Sequence, residues 1–140
     1  MTVTEIAGLV KPVPSAPGNG AEGYDSGLPT NVSSYGGISG ISYRFNTMFL
    51  VGVFLTDDEP REGEHPERLG YTDEGGDYAD QVPLIAQTFL VGDGAGRTFT
   101  VPSGATRLFL GFADAVDFQG DPGFYGNNSG ELAMAVEFDQ

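Results

Sequence analysis

Apolar residues recur at every second position in this chain, and that period constrains the fold more than any other feature. In "FNTMFLVGVFL", Phe45, Thr47, Phe49, Val51, Val53 and Leu55 share one face. In "ELAMAVEF", Leu132, Met134, Val136 and Phe138 do the same, with Ala133, Ala135 and Glu137 opposite. Successive side chains of a strand point to opposite sides, so this alternation marks strands with one buried face. "PLIAQTFLVGDG", "GRTFTVP" and "TRLFLGFAD" give three more strands, each bounded by Gly, Pro or Asp-Gly turn residues. Weaker strands fall at "GISGISY" and at the N-terminus, and no segment holds a helical period for more than a turn or two. Five strong strands and several weak ones exceed what a single open sheet needs. The expected fold is therefore all-β, an antiparallel β-sandwich of jelly-roll type with two sheets face to face.

The chain divides into residues 1–19 and residues 20–140. "TVTEIAGLV" is β-prone and apolar on both faces, Val3, Ala7 and Leu9 on one and Ile6 and Val10 on the other. "KPVPSAPGNGAEG" follows, with the Pro- and Gly-rich composition of a semi-extended linker. Such a strand has two open placements. It can fold back as an edge strand of its own domain, or it can complete the sheet of a neighbouring copy. In the second case main-chain hydrogen bonds satisfy the open edge while Val3, Ile6, Leu9 and Val10 fill alternate pockets. Within the sandwich domain, Thr56 to Asp80 holds ten of the twenty acids and almost no aliphatics, and reads as a long solvated excursion.

Charge and missing residue types exclude whole classes of function. Twenty acidic residues against six basic ones give a formal charge of -14, and Lys11 is the only lysine, so nucleic acid and anionic membranes would repel the surface. An acidic surface suits cations instead. The absence of cysteine removes thiolate catalysis and Cys-based zinc sites. His65 is the only histidine and no G-x-S-x-G elbow is present, so no hydrolase triad is legible and the chain is expected not to be an enzyme. No apolar run reaches the roughly 18 to 20 residues that span a bilayer, so membrane insertion is not expected. "MTVTEIAGLV" lacks the basic start and apolar centre of a signal peptide. "GDGAGR" lies between strands and reads as a hairpin turn, not a phosphate cradle. Asn31-Val32-Ser33 and Asn127-Asn128-Ser129 match the short N-glycosylation pattern.

The C-terminal loop "LGFADAVDFQGDPGFYGNNSG" concentrates oxygen donors among glycines, namely Asp114, Asp117, Asp121, Asn127 and Asn128. Calcium takes six to eight oxygens from carboxylates, amides and backbone carbonyls on a sharply bent backbone. The inventory suits Ca2+, although the spacing is not that of an EF-hand. A polar hairpin whose Asn residues cap their own turns would use the same residues.

"PGFYGNNSG", preceded by "TRLFLGFAD" and followed by "ELAMAV", resembles the C-terminal motif of the small bacterial calcium-dependent galactose-binding lectins. The wider chain, with "FLVGVFL", "QTFLVGDG" and "VPSGATRLFLGFADA", also resembles a domain of secreted bacterial surface proteins, including those with PEP-CTERM sorting tails. That second likeness covers roughly residues 20 to 138. The lectin resemblance implies calcium held by the side chains of Asn127 and Asn128, the Phe124 carbonyl and the Asp114 carboxylate. Extra residues between strand and turn leave Asp121 or Asp117 as alternatives to Asp114. A second carbonyl is implied at the end of "FLVGVFL", near Thr56. The lectins also contact sugar through a His-Pro pair, which implies a ligand-binding role for His65 and Pro66, but the family's nearby glutamine is replaced by Glu67 or Arg68.

Two functions are expected from these readings. One is an extracellular, calcium-stabilised subunit of the bacterial cell surface that assembles with other copies of itself into a fibre by N-terminal strand exchange. The alternative is a calcium-dependent carbohydrate-binding module of galactose type.

Overall fold

The structure is a computed structural model that describes residues 1–72 and 78–139. In chain order its strands are β1 (Thr2–Lys11), β2 (Thr30–Val32), β3 (Ile41–Tyr43), β4 (Leu50–Leu55), β5 (Leu69–Tyr71) and β6 (Asp80–Gln81). They are followed by β7 (Phe89–Leu90), β8 (Thr98–Phe99), β9 (Arg107–Phe112), β10 (Gln119–Gly120) and β11 (Ser129–Glu137). The architecture is all-β and sandwich-like, as the period-two pattern requires. The long pairings are antiparallel, β1 with β11 and β4 with β9. Three short pairings made by loop segments, β10 with β2, β3 with β5 and β6 with β8, are parallel.

Two facing sheets are expected and three are found among the described residues. Their strand orders are β11-β1-β8-β6, β10-β2-β3-β5 and β7-β4-β9. Strand β4 is the covered member of the three-stranded sheet, buried along its whole length, whereas β9 leaves Phe109 and Leu110 exposed. Phe49 and Val51 join one core with Val32, Ile41, Tyr43, Tyr71 and Leu90. Leu50 and Phe54 join the other with Phe89 and Phe99, against which Val3, Ile6, Leu132, Met134 and Val136 pack. The segment before β4 departs from the expected alternation, because Met48 adopts a left-handed φ of 54° that ends regular extension ahead of Phe49. A Cβ at Gly52 would lie 2.6 Å from the Phe89 ring, so glycine there lets Phe89 settle on the strand and stack on Phe54, with centroids 5.2 Å apart.

Although residues 56–80 carry half the chain's acids, part of the segment is anchored to the core. Leu69 packs on both cores and Tyr71 is buried. The Tyr71 hydroxyl donates to Gln81 Oε1 at 2.6 Å and accepts from the Leu90 amide at 3.0 Å, while Gln81 Nε2 donates to the Leu90 carbonyl at 2.7 Å. This closed ring ties β5 and β6 to β7. Such a ring is cheap to bury only when every member is satisfied.

The N-terminal strand is paired within its own chain and lies inside its sheet, not at the edge. It meets β11 from Thr2 opposite Glu137 to Lys11 opposite Ser129, and touches β8 at Thr2 opposite Thr98. A register shift between Val3 and Glu5 lets Val3 and Ile6, three residues apart, both point into the core. Val10 is buried, whereas Leu9 is 62% exposed and does not fill a pocket. The linker is closed at its base by Val10 and Asn19, whose amides donate to each other's carbonyls at 2.8 Å. Gly8 holds φ at 120°, and a Cβ there would stand 2.2 Å from the Glu131 carbonyl oxygen, so the two strands approach closely only because that position is glycine.

Burial pushes the Tyr71 phenol from its ordinary 10.0 to about 12, against the opposing pull of the Leu90 amide. A folded pKa above the unfolded one means the ring's contribution is complete below pH 10 and is lost as pH rises through about 12. Tyr71→Phe leaves Gln81 Oε1 and the Leu90 amide without this partner and is expected to cost about 1–3 kcal/mol, measured by urea unfolding at pH 7. An unchanged midpoint would show that the ring does not hold β5 and β6 to β7.

Candidate cation site

Strand β9 ends at Phe112, and the chain then turns three times within a few residues. Asp117, Phe118 and Phe124 all hold left-handed φ values, of 48°, 59° and 66°. Such angles strain non-glycine residues, and they fold the loop back so that Pro122 bridges to Ala115 and the Gly123 amide donates to the Asp114 carbonyl at 3.1 Å. The result brings the N-N turn over the end of β9. The Asn128 amide donates to the Tyr125 carbonyl at 3.1 Å, and the Tyr125 hydroxyl donates to the Phe112 carbonyl at 3.0 Å.

Between these turns and the linker lies a cleft of about 290 Å3 lined in part by Pro12, Tyr24, Asp114, Asp117, Phe124 and Asn127. Asp114 is 3% exposed. Its Oδ1 accepts from the Ala115 amide at 2.9 Å, while its Oδ2 is buried and, among the described residues, has no hydrogen-bond partner. Burial raises its pKa above the ordinary 3.8, and the nearby Asn128 amide and the Ala115 N–H offset part of that shift. An orphaned, buried carboxylate oxygen is costly unless a partner arrives from outside the chain.

The second unusual group is Asn127. Its amide meets two acceptors, the Pro12 carbonyl at 3.0 Å and the Phe124 carbonyl, and donates to both when its nitrogen faces them. A half-turn about χ2 exchanges nitrogen for oxygen and makes three oxygens converge on one point. Calcium gathers amide and carbonyl oxygens in this manner, at 2.3–2.6 Å from the ion. The residues lining the cleft therefore suit a hard cation, with Asp114 and Asp117 as carboxylates and the Asn127, Phe124 and Pro12 oxygens neutral, while the Asn128 amide stands beside Asp114 as a donor. Among the described residues no three His, Cys, Asp or Glu side chains converge on a point.

Of the residues singled out by sequence, Asp114, Phe124, Asn127 and Asn128 are brought together. Asp117 lines the same cleft, whereas Asp121 is exposed and lies outside it. Thr56 does not join them. In the antiparallel pairing of β4 and β9, Leu50 faces Phe112 and Leu55 faces Arg107, so Thr56 lies at the end of the pair opposite Asp114, about 20 Å away at the rise of a strand. Its carbonyl already accepts from Arg107 Nε at 2.7 Å. His65 and Pro66 sit at that same far end, in a cleft of about 400 Å3 with Thr56, Arg61, Glu64 and Ile85. They are not beside the Asn127 turn, so one bound ion cannot share a sugar with them. The Pro12 carbonyl was not foreseen, because a backbone oxygen carries no signature in sequence.

No protein-family model matches the chain, and neither a curated protein nor a solved structure does.

In chelator, a buried carboxylate with a raised pKa makes the fold most stable at and below the ordinary Asp range and less stable as pH rises through the raised value. Asp114→Asn is expected to raise the thermal midpoint at pH 7 in chelator and to flatten this dependence. A midpoint lowered equally at every pH would mean that the native fold needs the carboxylate even without an ion.

Proposed function

We propose that this chain is a non-enzymatic extracellular structural subunit, stabilised by calcium at Asp114, Asn127, Asn128 and the Phe124 carbonyl. On this reading it assembles into a bacterial surface fibre by exchange of its N-terminal strand between copies. The observation that carries the reading is the relation of β1 to β11. Among the described residues β11 pairs with β1 alone, over almost its whole length, and β1 is joined to the rest of the domain through a Pro-rich linker. A strand that is the sole partner of an edge and hangs on a linker can be donated by a neighbour without altering any contact it makes. Val3, Ile6 and Val10 would then fill a neighbour's core as they fill their own.

Calcium enters this reading through the orphaned Asp114 Oδ2 and the convergent oxygens beside it. The acidic surface suits a cation-rich exterior. The carbohydrate-binding alternative has less support, since His65 and Pro66 lie far from the turn.

Two measurements test the proposal. Calcium at about ten times Kd is expected to stabilise the fold by about 1.4 kcal/mol, seen as a midpoint a few degrees higher than in chelator. The intact chain is expected to form filaments visible by electron microscopy, and a chain lacking residues 1–17 is expected to form none, with or without added β1 peptide, because a detached strand fills the open edge without linking two copies. A midpoint indifferent to calcium would sink the metal site. An intact chain that stays monomeric at every concentration would sink strand exchange.

A further inference from the structure

We infer that the cation site is a latch on the N-terminal strand: the bound ion takes the Pro12 carbonyl as a ligand, so its occupancy sets how firmly β1 is held against β11. This rests on the proposed calcium site and adds a regulatory consequence to it. The supporting geometry comes from opposite ends of the chain. Pro12 directly follows Lys11, the last residue of β1, and Lys11 pairs with Ser129, the first residue of β11. Asn127 stands just before that same position, so the N-N turn and the exit of β1 are neighbours through the sheet register. The Asn127 amide already contacts the Pro12 carbonyl at 3.0 Å, and both line the cleft with the unpartnered Asp114 Oδ2.

An ion bound by Asp114, Asn127 and the Phe124 carbonyl alone would stabilise the C-terminal turn without reference to β1. One that also takes the Pro12 carbonyl spans the point where the linker leaves the sheet. Withdrawing β1 then removes a ligand, and by linkage, weakening β1 must weaken the ion. The same reciprocity makes calcium removal favour the free strand that exchange requires. In an assembled chain the Pro12 carbonyl comes from whichever copy supplies the strand, so the latch would hold a donated strand as it holds the chain's own.

The test uses the full chain with CaCl2 or EGTA, and MgCl2 as a size control. Amide hydrogen exchange is followed in residues 3–11, with β4 as the internal reference. Calcium is expected to slow exchange in residues 3–11 by about tenfold more than in β4, as a coupling of ordinary size would. Gly8→Ala strains β1 at a position far from the cleft and is expected to weaken calcium binding at least about threefold, measured by calorimetry. Calcium binding that slows β1 and β4 equally, with Gly8→Ala binding as tightly as the native chain, would overturn the latch while leaving the calcium site standing. No calcium binding at all would overturn both. If Gly8→Ala does not fold, the exchange comparison in the native chain decides alone.

Discussion

Because β4 is covered on both faces, every other layer takes its position from that strand. One side carries Phe49 and Val51 into the core closed by β2, β3 and β5, and the other carries Leu50 and Phe54 into the core closed by β1 and β11. The seat for the second core is Gly52, where the missing side chain admits the Phe89 ring and lets it stack on Phe54 and tilt against Phe99, 5.3 Å away. A side chain there would have to displace a fully buried ring, which close-packed interiors resist. Antiparallel pairing with β9 fixes the two ends of the molecule from the same strand. Thr56 and His65 go to one end, and Asp114 and the Asn127 turn go to the other.

That separation bears on function more than any single residue does. A His-Pro pair and an Asn-Asn turn read as parts of one sugar site only while their distance is unknown. Placed at opposite ends of β4 and β9, they are two features with two surroundings. The Asn127 turn keeps its chemical interest without them, because Asp114 Oδ2 is buried and unpartnered beside it. What joins the turn instead is the exit of β1, through the Pro12 carbonyl. The strand and the turn therefore belong to one physical unit, and the proposed calcium and strand-exchange roles meet there.

The polar ring of Tyr71, Gln81 and Leu90 has a comparable effect on the acidic segment. Charge density made residues 56–80 look wholly solvated, yet Leu69 and Tyr71 return to the core and Gln81 is buried with them. Leu69, Tyr71, Tyr78 and Ala79, scattered among ten acids, are too few to produce a periodic signal. The burial of Leu69 and Tyr71 depends on partners in β3 and β7 that only the folded chain supplies. A similar limit applies to β1, where the bulge after Val3 puts two residues of odd spacing on one face and turns Leu9 outward.

By itself the sequence determined that the chain is all-β and where its long strands run, while the grouping of Phe124 with Asn127, Asn128 and an aspartate was implied by the lectin resemblance. Period-two hydrophobicity and Gly and Pro punctuation are local quantities, and local chemistry suffices for them. The tertiary structure alone decided that a third sheet covers β4, that β1 lies inside its sheet, that Asp121 and Thr56 stand away from the cleft, and that Pro12 stands in it. Each of these depends on which segments meet across long stretches of chain. A carbonyl oxygen, a free edge and a second buried face are supplied by that meeting and by no residue type.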